Sequence, residues 1–145
     1  ESLLGDLVEW LAARGKVHIS SEASLPATLA DHAYRGKVSA VHHLMAHCRL
    51  FIGESATMAS ECAVLGVPAI YAAHTGRGYT DEQEQRYGLV TNLRQFDLDR
   101  LRRTIEPLLA RPAADYQARR QDLLADTIDV AAFVAEQIEQ TAGIR

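Results

Sequence analysis

Apolar and polar positions alternate along the chain in two rhythms. Leu3, Leu4, Leu7, Val8 and Leu11 recur at the helical period, which predicts a helix ending near Gly15. Residues 17–20 form a short strand pattern, and residues 21–26 a turn. Pro26 suits the start of a short helix reaching about Tyr34. Gly36 breaks that helix, and Val38 marks another short strand. Residues 41–48 are helical, with Leu44 and Cys48 on one side. Leu50, Phe51 and Ile52 make a buried strand that stops at Gly53. Met58, Cys62 and Leu65 follow at i, i+4 and i+7, one apolar face of a helix. Gly66 sits where a left-handed cap is expected, and residues 68–71 open a second buried strand behind Pro68. Residues 72–79 are a loop with two glycines. Thr80 or Asp81 caps a polar helix to about Tyr87, Gly88 ends it, and residues 89–91 are a last strand. Asp97 caps a helix with Leu98, Leu101, Ile105 and Leu108 inward, which Pro107 should kink or restart. Residues 113–141 read as a long C-terminal helix with Leu124, Ile128, Ala131, Ala135 and Ile138 on one stripe.

Strands alternating with helices predict an α/β fold, a Rossmann-like parallel sheet covered on both faces in three layers. The stretch from residue 50 to residue 71 is its centre. Gly53, Glu54 and Ser55 lead from a buried strand into a helix capped by Ser55 or Thr57. The free N–H groups around Ala56, Thr57 and Met58 then face outward beside two hydroxyls, an arrangement suited to a phosphate. Glu61 lies one turn beyond Thr57 on the same face, and a carboxylate can accept both hydroxyls of a ribose. Against this stands a plain alternative, a helix cap followed by a solvated or ion-paired Glu61.

The order Gly53, Glu54, Ser55, Thr57, Met58, Glu61, Ala63, Leu65, Gly66, Pro68, Ile70 resembles a family of predicted GT-B glycosyltransferase-like proteins of unknown function. The likeness extends to His18, Ile19, Ser20, Ser21 and Glu22, to Gly76 and Arg77, and to the acidic segment 81–89 ending Tyr87, Gly88, Leu89. It covers roughly the first two thirds of the chain. More distantly the site is similar to the donor sites of the lipid-linked UDP-GlcNAc transferase and the non-hydrolysing UDP-GlcNAc 2-epimerase. The resemblance implies that Ser55, Thr57 and Met58 hold the diphosphate and that Glu61 holds the ribose of a nucleotide-sugar ligand, with uridine the expected base. The loop at the start of the helix of residues 41–48, residues 39–42 with Ser39, Val41 and His42, would meet the base through backbone groups. Glu84 would reach donor sugar hydroxyls. Where those donor sites have a Gly-Gly turn, this chain has Ser55 and Ala56.

Composition narrows the field. The chain has 145 residues, enough for one domain, 1–145, with a real core. A net charge of −4 gives no general attraction to nucleic acid or anionic membrane. No apolar run approaches a transmembrane span, and no signal peptide is visible. Cys48 and Cys62 read as reduced buried thiols, which points to a cytoplasmic protein. His43 and His47 at i, i+4 lack a third ligand at diagnostic spacing, so no metal is expected. Arg77, flanked by Gly76 and Gly78, belongs either to a loop that meets a diphosphate or to a flexible surface connection.

A Rossmann-like domain normally opens with a strand that becomes central, whereas this chain opens with a helix. The resembling family has a strand and a whole N-terminal domain before the point matching Glu1. The expectation is therefore a fragment lacking its first strand and its N-terminal partner domain, able to bind but with no catalytic residues or cofactor of its own. The rival expectation is a non-catalytic Rossmann-like module that forms a homo-oligomer through its C-terminal helix and sheet edge.

Overall fold

The structure is a computed structural model and describes residues 2–143. Helix α1 (Leu3–Ala12) is followed by an irregular stretch with two 3-10 turns, Ala27–His32 and Val38–Ala40. Then come α2 (Val41–Ala46), β1 (Phe51–Gly53), α3 (Ala56–Leu65) and β2 (Ala69–Ala72). Helix α4 (Gly78–Glu82) runs into a π-helical turn, Gln83–Tyr87, before β3 (Val90–Leu93). Three helices close the chain, α5 (Leu98–Ala110), α6 (Ala113–Ala125) and α7 (Val130–Ala142).

The three strands form one open parallel sheet in the order β1-β2-β3, with Ile52 beside Ile70 and Ile70 beside Thr91. Side chains alternate across it, as a strand requires. Phe51, Ala69, Tyr71 and Val90 face a core with Met45, Ala59, Cys62, Ala63, Tyr116 and Leu123. Ile52, Ile70, Ala72 and Leu93 face the other core, made with Leu7, Leu101 and Ile105. Helices α2, α3 and α6 thus cover one face, and α1 and α5 the other. This α/β architecture, an open parallel sheet between helices, is compatible with a Rossmann-like fold.

Two expected strands are not in this sheet. Residues 17–20 make a single parallel bridge, Ile19 to Ala33, with Ile19 N donating to His32 O and Tyr34 N to Ile19 O, each at 2.8 Å. Val38 lies in a 3-10 turn and is 87% exposed, because no apolar neighbour on either side gives it a surface to join. Within the described residues β1 pairs on one side only, with β2. The helix expected after Pro26 is a 3-10 turn that ends at His32. In α2 it is Val41 and Met45 that pack on the core, with Cys48 just beyond the helix, and not Leu44.

The C-terminal stretch is helical but divides at residues 126–129. Thr127 turns its hydroxyl back onto Leu123 O at 3.0 Å, and Asp129 starts α7 by accepting from Ala132 N at 3.0 Å. Ile128, Val130, Phe133, Val134 and Ile138 are exposed, so the expected apolar stripe does not pack on the body of the domain. Helix α5 runs unbroken through Pro107, with Leu101 and Ile105 buried as its pattern requires.

Candidate functional site

Strand β1 ends at Gly53, and Phe51 folds its ring over that position. A Cβ on Gly53 would come within 2.9 Å of Phe51 Cζ. The chain then turns through Glu54 into α3, and Ser55 is the cap. Its backbone is extended, and its Oγ accepts from Met58 N at 3.3 Å. Ala59 N donates to Ser55 O at 3.0 Å. The N–H groups of Ala56 and Thr57 have no partner among the described residues. They form the positive end of the α3 dipole.

Thr57 is exposed between two neighbours one turn on. Ser60 turns toward the π-helical turn, where Gln83 Nε2 donates to Ser60 Oγ at 2.9 Å. Glu61 turns toward α2, where His42 Nε2 stands 3.1 Å from Glu61 Oε2. The start of α3 is therefore flanked on both sides. Met58 is partly buried against the core, so its side chain faces away from this surface. Val41 packs against the same core and also lines an open cleft of about 460 Å³ shared with Ile19, Ser20, Tyr34 and Arg35.

The other two candidates stand apart. Arg77 caps α4, and its exposed side chain folds back so that Nη1 donates to Gly76 O at 2.9 Å. Its loop is held to the segment after β3, because His74 Nδ1 lies 3.0 Å from Arg94 O and its ring stacks on Phe96. Glu84 is taken up inside the fold. Its Oε1 accepts from Asn92 N at 3.0 Å and its Oε2 from Asn92 Nδ2 at 2.8 Å. Asn92 Nδ2 also donates to Thr80 O at 3.1 Å. The sheet bonds of β3 run through Leu89 and Leu93 to β2, so Asn92 N points off the open edge and Glu84 covers it.

Gln83 was not legible as part of this neighbourhood. A glutamine in a polar helical run reads as solvated, yet it is buried, and its Oε1 has no partner among the described residues. The ring of His42 was equally hidden, because its contact with Glu61 crosses two helices. Cys62, beside Glu61, is held as a thiol, since burial, with Cys48 and Glu61 adding, pushes its pKa up to about 12. His47 turns Nδ1 onto His43 O at 2.8 Å. Among the described residues no three His, Cys, Asp or Glu side chains gather to hold a metal. No helix among them is long and apolar enough to cross a membrane. No protein-family model matches the chain, and comparison with curated proteins and with solved structures gives no match either.

Proposed function

We propose that this chain is the nucleotide-sugar-binding half of a GT-B-like glycosyltransferase or epimerase, taking a uridine diphosphate sugar at the start of α3. The observation that carries the reading is the pair of free N–H groups on Ala56 and Thr57, at the carboxyl end of a parallel strand, with the Thr57 hydroxyl and the Glu61 carboxylate on one face. The diphosphate would sit on those N–H groups and the ribose on Glu61. The Val41 and His42 backbone would border the base. Ser55 would act indirectly, by fixing the first turn. Glu84 has both oxygens engaged and is left out of the ligand shell. The proposal places the acceptor and the catalytic base in an N-terminal partner domain, so this chain alone would bind without turnover.

Thermal shift with UDP, UDP-GlcNAc, GDP, CDP, NAD and inorganic diphosphate tests the reading. A ligand at 100 times its Kd stabilises the fold by about 2.7 kcal/mol. The expected result is a shift with UDP compounds that is lost in Glu61→Ala. A cooperative melt unmoved by the whole panel would refute it.

A second reading belongs to another class. Helix α7 has no buried residue and exposes Val130, Phe133, Val134 and Ile138, which favours a structural module that associates with itself. Light scattering during gel filtration separates the two. A monomer across the micromolar range that still responds to UDP removes the second reading.

A further inference from the structure

The geometry points to His42 as the positioning group for Glu61, an assignment that rests on the nucleotide reading above. Three carboxylates, on α3, α4 and the π-helical turn, differ in what already holds them, and the difference is informative. Glu84 has both oxygens bonded within the fold. Asp81 meets Arg94 Nη2 at 3.4 Å. Glu61 is held by one oxygen only, Oε2, at 3.1 Å from His42 Nε2. Its Oε1 has no partner among the described residues and is free to accept from a ligand.

A glutamate on an exposed helix face otherwise wanders over many rotamers, and binding a diol must first stop that motion. His42 reduces the cost because its own helix does not move freely. Val41 and Met45, on either side of it in α2, pack into the core shared with α3. The ring therefore approaches Glu61 from a fixed direction, and the Nε2–H tautomer donates to Oε2. The carboxylate is left with one oxygen anchored and one presented. The His42 ring touches no ligand in this arrangement. It acts through Glu61.

Calorimetry with UDP and with inorganic diphosphate tests the assignment on the wild type, His42→Ala, His42→Gln, Glu61→Ala and the double alanine variant. His42→Ala should weaken UDP about three- to tenfold, the scale of one partly exposed charge-assisted bond, and leave diphosphate unchanged. His42→Gln should recover most of the loss, because its carboxamide N–H can reach the same oxygen. In the Glu61→Ala background the His42 change should have no further effect. Equal weakening of both ligands, or none, overturns the inference and leaves the nucleotide reading standing. A wild type that ignores UDP removes both.

Discussion

Glu84 offers the sharpest test of whether the polar residues beside the site bind a ligand or hold the fold. Strand β3 is an edge, and Asn92 N would otherwise face outward unpaired. Glu84 accepts from that N–H at 3.0 Å and from the Asn92 side chain at 2.8 Å. A hydrogen bond to a charged group contributes about 1.5–3 kcal/mol, but the two here share one carboxylate and are only partly buried. Glu84→Ala should therefore cost about 2–3 kcal/mol in total, including the orphaned Asn92 N–H. For a chain of this length about 1 kcal/mol moves the melting temperature by about 3 °C, so the expected drop is about 6–9 °C. Differential scanning calorimetry and urea unfolding both read this loss. Glu84→Gln should fall between wild type and alanine, since its NH₂ can meet only donors there. Asn92→Ala and Glu84→Ala together should cost clearly less than their sum. A Glu84→Ala variant that melts within about 1 °C of wild type while losing UDP binding would refute the reasoning and return Glu84 to the ligand shell.

Gly66→Ala should lower stability by about 2 kcal/mol in urea unfolding, because Gly66 has φ 76° at the end of α3 and an added Cβ would overlap Gln117 Nε2. Gly78→Ala, with open space around it, serves as the control and should change little. Cys62 gives a pH signature. Its folded pKa lies near 12 against 9.0 for a free thiol, so the folded chain holds a proton that the unfolded chain releases. Stability should fall as pH rises from about 9 toward 12, and Cys62→Ala should flatten that part of the urea-midpoint profile. Phe133→Ser with Ile138→Ser on α7 should leave the melting temperature unchanged and abolish any self-association seen by light scattering.

Much of the central unit was readable from residue order because its signals are local. Gly53, the Ser55 cap, the left-handed Gly66 and Pro68 each act on the backbone within a turn of themselves, and the structure has the strand, helix and strand they predict. Asp97 and the stripe of Leu101 and Ile105 are legible for the same reason. The choice between Ser55 and Thr57 as cap was not, since both are good caps, and the folded chain uses Ser55.

The sequence by itself determined the α/β class, the parallel order implied by alternating elements, and the exposed start of a helix at the end of a buried strand. These follow from periodicity and capping, which depend on neighbours in the chain. Tertiary structure alone decided that residues 17–20 and Val38 stay out of the sheet, because a short strand persists only if another strand meets it. It alone left the apolar stripe of α7 uncovered, since a stripe records what a helix could bury and not what arrives to bury it. It alone turned Glu84 inward onto Asn92 while leaving Glu61 half free beside His42. Both are helical glutamates, and their difference comes from which partner the fold brings up to each, Asn92 or His42.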